Sequence, residues 1–150
     1  MLTNINMLLC PTDGSKAAMR GVEYAISLAK TLENMQLTFL LVTTLSEEGA
    51  DITEARYLGR TIIEAAEIQD HIELDAACNK AKAEGITKLQ CIKIHSRGNT
   101  AAAIVDFAEK EGFQNIVMGS TGRTGVARLL LGSVASEVVA KAHCPVTVVR

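Results

Sequence analysis

The sequence predicts an α/β fold: one doubly wound, Rossmann-like domain over residues 1–150, with a parallel five-stranded sheet in the order 3-2-1-4-5 and helices on both faces. Three observations support this. Five strand-like segments alternate with helical ones. The strand-like segments are short, continuous apolar runs, which is typical of strands buried on both faces. No linker, repeat or low-complexity tract divides the chain.

The first half of the chain contains two predicted strands with a helix between them. The run "INMLLC" at 5–10 predicts strand 1, which ends at Pro11 because proline cannot donate to a ladder. The turn residues "TDGS" follow, and a helix is predicted from Ser15 to about Glu33, where apolar residues recur at helical spacing. The run "LTFLLVTTL" at 37–45 predicts strand 2.

The second half begins with the least regular region, residues 46–84. It opens as a polar loop, becomes helical from about Ile52, and stops at Gly85, while Gly59 suggests a break between two helices. After it, the patterns predict strand 3 at 87–96, a helix from Asn99 or Thr100 to Gly112, strand 4 at 115–119, a helix at 133–143 and strand 5 at 145–150.

Composition excludes several classes of protein. Apolar residues make up 48% of the chain and the net charge is only −2, so no large basic surface for nucleic acid is expected. No apolar run approaches the roughly 20 residues that span a bilayer. The N-terminal residues carry no positive charge ahead of their apolar stretch, unlike a signal peptide. We therefore expect a cytoplasmic protein without a membrane or nucleic-acid partner.

The cysteines and histidines suggest neither disulfides nor metal. No pair of cysteines has C-x-x-C spacing, and a cytosolic chain of this size is not expected to depend on disulfides. We therefore expect the cysteines to be small buried apolar side chains. The histidines lie too far apart in sequence to indicate a metal site. The residues concerned are Cys10, Cys78, Cys91 and Cys144, and His71, His95 and His143.

Two turn-rich loops are predicted to face each other. In a sheet of order 3-2-1-4-5, ligands bind at the carboxyl ends of strands 1 and 4, where the strand order reverses. The loop "PTDGS" follows strand 1 and the loop "GSTGRTG" follows strand 4. This agreement between topology and turn composition predicts a ligand-binding crevice between the two loops.

The second loop and the helix after it suit a phosphate. Gly119 and Gly122 would let the backbone approach an anion without a Cβ in the way. Gly132 and Ser133 open the last helix, whose free N–H groups and dipole favour negative charge. Arg123 would add a positive charge for a terminal phosphate.

Each of these residues also has a purely structural interpretation. Asp13 either accepts hydrogen bonds from a ribose or base, or caps the helix that begins near Ser15. The glycines Gly119 and Gly122 are also consistent with a tight turn. Ser133 is also consistent with a helix N-cap that binds nothing.

The chain resembles the universal stress protein family. The resemblance runs from "MLLCPTDGS" to "CPVTVVR" and is most specific in "VMGSTGRTG" and "LLLGSVASEVV". The signature of the ATP-binding branch, G-x-x-G, nine residues and then G-[ST], is met in full by Gly119, Gly122, Gly132 and Ser133.

This resemblance implies a homodimer that binds ATP, with or without Mg²⁺, and acts as a stress-related regulator or adaptor; AMP and ADP remain alternatives. It implies that Asp13 binds the nucleotide and that Val42 contacts adenine. Further binding positions implied by the matching motifs are Pro11, Thr12, Met118, Arg123 and Val134. The dimer would form through "PVTVVR", because an apolar edge strand favours pairing with a second copy.

Two other functions remain open from the sequence. In the first alternative the protein is a weak ATP hydrolase. In the second it is a dimeric interaction protein that uses no nucleotide. Hydrolysis is disfavoured because neither loop has an acidic residue other than Asp13, and no Walker lysine follows the glycines. We therefore expect nucleotide binding with little or no turnover. Flavin is disfavoured because neither loop has a tryptophan or tyrosine to stack on its ring.

Overall fold

The structure, a computed structural model, describes residues 6–44, 60–121 and 131–150. Its strands are β1 (Met7–Pro11), β2 (Gln36–Thr44), β3 (Leu89–Ser96), β4 (Asn115–Gly119) and β5 (Val146–Val149). Its helices are α1 (Lys16–Thr31), α2 (Arg60–Ala83), α3 (Thr100–Lys110) and α4 (Ser133–Lys141). The predicted break at Gly59, the polar loop before it and the last predicted residue of strand 2, Leu45, lie outside the described residues.

The five strands form one parallel sheet in the order β3-β2-β1-β4-β5, which confirms the predicted fold. Strand β1 lies at the centre and pairs with β2 from Met7 opposite Gln36 to Pro11 opposite Leu40. The order reverses between β1 and β4, so the carboxyl ends of these two strands mark the predicted crevice.

Alternate residues of the strands supply two separate cores. Leu8, Phe39 and Val117 pack on one face with apolar residues of α1 and α2. Leu9, Leu40 and Ile116 pack on the other face with residues of α3 and α4. All six side chains are at most 1% exposed, so the continuous apolar runs in the sequence correspond to strands covered on both faces.

The cysteines do not follow the prediction. Cys10 is fully buried in the core, and burial raises the pKa of its thiol. Cys144 is half-buried. Cys78 of α2 and Cys91 of β3 are joined in a disulfide, with their Cα atoms 6.5 Å apart. The expectation of four buried, unpaired cysteines is therefore wrong, because the strand that follows α2 brings together two residues 13 apart in sequence.

Candidate functional site

The loop after β1 is ordered by its own polar groups. The N–H of Thr12 donates to the carbonyl of Leu40 in β2 at 2.9 Å, which ties the loop to the sheet. Gly14 adopts φ +78°, a conformation that favours glycine, and its N–H donates to the Thr12 hydroxyl at 3.3 Å. The first turn of α1 is capped by Ser15, whose Oγ accepts from the N–H of Ala18 at 3.1 Å.

Asp13 therefore is not the cap of α1. One of its carboxylate oxygens, Oδ1, accepts from the N–H of Ser15 at 2.9 Å and stabilises the turn before the helix. The residue is half-buried and lines the crevice beside Thr12. The interpretation of Asp13 as the cap of α1 is thus wrong, since Ser15, two residues later, is the N-cap.

Gly119 has a packing role that the sequence analysis did not predict. It is the last residue of β4, and its backbone lies directly against α1. A Cβ at this position would lie inside contact distance of the Ala17 carbonyl oxygen and 2.8 Å from its carbon. A Cβ on Gly21 of α1 would in turn lie 2.8 Å from the N of Gly119. Glycine is therefore required where α1 crosses the end of β4, while the backbone of Gly119 also lines the crevice.

Helix α4 begins at Ser133, as predicted, and Gly132 is its N-cap residue. Gly132 has no side chain to accept from the first turn, and no described side chain does so in its place. Its own N–H donates to the Ser120 carbonyl at 2.7 Å, which holds the start of the helix beside the end of β4. Ser133 is therefore the first helical residue, and its hydroxyl is not the cap.

These elements enclose one crevice of about 220 Å³ at the carboxyl ends of β1 and β4. The loop after β1, the end of β4 and the start of α4 all contribute to it, as the topology predicted. Of the predicted site residues, the structure brings together Pro11, Thr12, Asp13, Val42, Met118, Gly119, Gly132, Ser133 and Val134. The predicted Gly122 and Arg123 lie outside the described residues.

One wall of the crevice was missed in the sequence. Thr100 and Ile104, one turn apart on α3, also line it. Their i, i+4 spacing places them on one face of the helix, and α3 packs beside α4 on the same side of the sheet. The predicted contacts came from the two turn-rich loops and from motif positions in strands 2 and 4 and the last helix, and none of these patterns includes a residue of α3.

Within the described ranges, no three histidine, cysteine or acidic side chains lie close enough together to hold a metal ion. None of the helices in the same ranges combines the length and apolar character needed to cross a bilayer.

The comparisons with known proteins agree with this architecture. The model of the universal stress protein family matches residues 5–150. Universal stress protein MJ0531 of Methanocaldococcus jannaschii is 35% identical over 146 residues, which cover 95% of this chain and 81% of the relative.

Two solved structures are similar over almost the whole chain. Universal stress protein UspA from Lactobacillus plantarum has a TM-score of 0.78 at 25% identity and covers 99% of this chain and 100% of its own. The hypothetical protein MJ0577 of Methanocaldococcus jannaschii has a TM-score of 0.76 at 28% identity and covers 98% of this chain and 96% of its own. By sequence and by fold, this chain belongs to the universal stress protein family.

Proposed function

We propose that the protein is an ATP-binding universal stress protein that acts as a homodimeric, cytoplasmic regulator or adaptor. The observation that carries the proposal is the convergence of Asp13, Gly119 and Ser133 on one crevice at the point where the strand order reverses. Ligands of open α/β sheets bind at that point, and the three residues come from three separate parts of the chain.

The inner part of the crevice suits an adenine ring. Val42 and Ile104 line it with apolar surface, and Met118 is 6% exposed at its base. Apolar walls favour burial of an aromatic base, and we expect the backbone of Val42 to provide polar contacts for its edge. In this arrangement Asp13, at the rim beside Thr12, accepts hydrogen bonds from the ribose hydroxyls.

The start of α4 suits the phosphates. Because Gly132 provides no capping side chain, we expect the first-turn N–H groups of α4 to donate to the phosphates, reinforced by the helix dipole. The hydroxyl of Ser133 adds a further donor. In the ATP complex we expect Gly122 and Arg123 to complete the phosphate contacts.

The dimer is proposed to form along β5, which is an edge of the sheet. The carbonyls of Pro145 and Val149 accept bonds from the backbone of β4 and its end, so the N–H and C=O groups of Val146 and Val148 point to the outer edge. A second copy of β5 would pair with these groups. Val148→Pro removes one outward N–H while leaving the bonds to β4, so sedimentation should show monomers; an unchanged dimer would exclude this interface.

Titration calorimetry with ATP, in the presence and absence of Mg²⁺, tests nucleotide binding. Asp13→Asn retains an oxygen acceptor for the Ser15 N–H but removes the charge that would bind the ribose, so we expect about tenfold weaker binding. Asp106→Asn makes the same chemical change on α3, at an ion pair with Lys110 outside the crevice, and should leave the affinity unchanged. If ATP does not bind at millimolar concentration, the proposal is wrong.

A further inference from the structure

The disulfide between Cys78 and Cys91 joins two elements with different surroundings. Cys78 is 3% exposed and lies on the buried face of α2 with Leu74 and Ala81. Cys91 is exposed on β3, which is an edge strand of the sheet. Cys91 is therefore the more accessible residue of the pair, and the core holds Cys78 within bonding distance of it.

The other two cysteines differ from this pair. Burial raises the pKa of the thiols of Cys10 and Cys144, which keeps both protonated and poorly reactive. Cys10 is fully buried in the core. Thiol–disulfide chemistry on this chain is thus directed to Cys91, with Cys78 as its resolving partner.

The helix that carries Cys78 also contacts the loop after β1. Glu73 precedes Cys78 by five residues, or about 7.5 Å along α2, and lies directly over Gly14. A Cβ on Gly14 would be 2.5 Å from the Cγ of Glu73 and 2.8 Å from its Cβ. Gly14 adjoins Asp13 in the loop that lines the crevice, so the position of α2 determines the space available to that loop.

Ion pairs also join the C-terminal part of α2 to its neighbours. The ion pairs that Lys80 makes with Glu23 and Glu84 makes with Lys30 join this region to α1, and both are solvent-exposed. Exposed ion pairs contribute little to stability. The disulfide is therefore a strong restraint on α2, next to the apolar packing of its buried face.

We propose that Cys78 and Cys91 form a reversible redox site that controls the nucleotide-binding crevice through α2 and Glu73. The closed disulfide holds α2 against β3 and keeps Glu73 over Gly14, which fixes the loop that contains Asp13. Reduction releases this restraint and lowers the affinity for ATP. This coupling rests on the proposed function, whereas the redox site and its effect on the loop do not.

The disulfide forms by exchange with a low-molecular-mass disulfide, RSSR. The Cys91 thiolate attacks RSSR, forming a mixed disulfide and releasing one RS⁻. The Cys78 thiolate then attacks the Sγ of Cys91, closing the protein disulfide and releasing the second RS⁻. The two cysteines lose two electrons and two protons, and RSSR becomes two RSH. Excess thiol reverses both steps.

Coupling between the two sites must be reciprocal. If the oxidised form binds ATP about fivefold more tightly, at the lower end of typical couplings, then ATP must favour the disulfide by the same factor. For a two-electron couple, a fivefold change lowers the reduction potential of the disulfide by about 21 mV.

The test uses the full-length chain equilibrated in a series of reduced and oxidised glutathione mixtures, with and without saturating ATP. Alkylation and mass spectrometry measure the fraction of Cys78–Cys91 disulfide, and calorimetry measures ATP affinity in the fully oxidised and fully reduced states. Amide exchange at Gly14 and Ser15 is followed in both states without nucleotide, because their N–H groups are bonded within the loop. We expect faster exchange and about fivefold weaker ATP binding after reduction.

Three variants separate the steps. Cys91→Ser should bind ATP like the reduced wild type whatever the glutathione ratio, because the disulfide cannot form. Cys144→Ser changes a thiol outside the pair and should respond to oxidation as the wild type does. Glu73→Ala retains the disulfide but removes the Cγ and Cδ atoms that lie over Gly14, so its ATP affinity should depend much less on the redox state.

The outcomes distinguish this inference from the proposed function. If Cys78 and Cys91 remain thiols throughout the glutathione series, the redox site is wrong. Equal affinity and equal exchange in both states would reject the coupling while leaving ATP binding intact. If neither state binds ATP but Gly14 and Ser15 still exchange faster after reduction, the proposed function fails and the control of the loop stands.

Discussion

The helices α1 and α4 both begin at the crevice, but their N-termini are capped differently. At α1, the Oγ of Ser15 accepts from Ala18 and the carboxylate of Asp13 accepts from Ser15, so the protein supplies its own acceptors. At α4, Gly132 is the N-cap and supplies none. Uncapped first-turn N–H groups are costly unless water or a ligand accepts from them. The Asp13 and Ser15 side chains therefore stabilise the start of α1, whereas under the proposed function the start of α4 binds the phosphates.

Gly119 packs the end of β4 directly against α1, and the N–H of Gly132 ties the start of α4 to Ser120, the next residue. Gly119→Ala would place a methyl group against the Ala17 carbonyl, which belongs to rigid backbone. We expect a loss of about 3 kcal/mol in the free energy of unfolding, or roughly 6–12 °C in melting temperature. Urea and thermal denaturation measure both quantities.

Gly98→Ala is the matched control, because nothing lies within 4 Å of a Cβ at that position. Its stability should change by less than about 0.5 kcal/mol. Equal stabilities of the two alanine variants would show that α1 is not packed against the end of β4 at Gly119. The start of α1 would then not be held beside the end of β4 by this contact.

The second prediction concerns the open N-terminus. Ser133→Ala removes a hydroxyl that lines the crevice but does not cap α4, so stability should change by less than about 0.5 kcal/mol. If Ser133 donates to a phosphate, ATP affinity should fall about tenfold, as measured by calorimetry.

Ser136→Ala provides the control for Ser133, since it changes the same residue type in the same helix. The Ser136 hydroxyl donates to the Leu131 carbonyl at 3.4 Å and does not line the crevice. An equal loss of affinity in both variants would mean that α4 responds to substitution in general and that Ser133 has no particular role.

The third prediction addresses the closed N-terminus. Ser15→Ala removes the cap of α1 and should lower the free energy of unfolding by about 1 kcal/mol, with less than about a threefold change in ATP affinity. Ser27→Ala in the same helix loses a hydroxyl that bonds to the Glu23 carbonyl, and should be close to neutral. A larger loss of affinity in Ser15→Ala than in Ser133→Ala would reverse the roles assigned to the two helices.

The sheet order and the location of the crevice could be predicted because they depend on short-range patterns. Apolar runs such as "INMLLC" identify strands buried on both faces, and turn residues mark where each strand ends. Once alternation implies a doubly wound sheet, the two loops that meet at the reversal follow from topology. The start of α4 at Ser133 was predicted for the same reason.

What could not be predicted depends on contacts between distant segments. The close approach of Gly119 to Ala17, the contact of Glu73 with Gly14 and the disulfide of Cys91 with Cys78 each need a particular packing of a helix on the sheet. Spacing in the sequence does not encode that packing. Of the two interpretations of Asp13, the helix cap is wrong: aspartate and serine are both common before a helix, and only the geometry shows which one accepts from Ala18.

The smallest expected effect is at the third N-terminus beside the crevice, that of α3. Asn99 caps it by accepting from the N–H of Ala102 at 3.0 Å, and its Nδ2 donates to both carboxylate oxygens of Glu137 on α4. Hydrogen bonds from Lys141 and then from Asn99 hold the pKa of Glu137 below its ordinary value of 4.5. A carboxylate whose pKa is lowered in the folded protein stabilises the fold at pH values above its ordinary pKa. This stabilisation is lost as the pH falls through the lowered pKa.

We therefore expect a pKa below 4.5 for Glu137 in a carboxyl NMR titration. The wild type should melt slightly above Glu137→Gln at neutral pH, by less than the Ser15→Ala effect, because Lys141, the partner of Glu137 in the ion pair, is solvent-exposed. That difference should narrow as the pH falls below 4.5 and should shrink in 1 M salt, which screens the pair with Lys141. A difference in melting temperature that stays constant with pH would show that Asn99 joins α3 to α4 without a contribution from the charge of Glu137. The bond from the Gly132 N–H to the Ser120 carbonyl does not depend on that charge and would still hold the start of α4 beside β4.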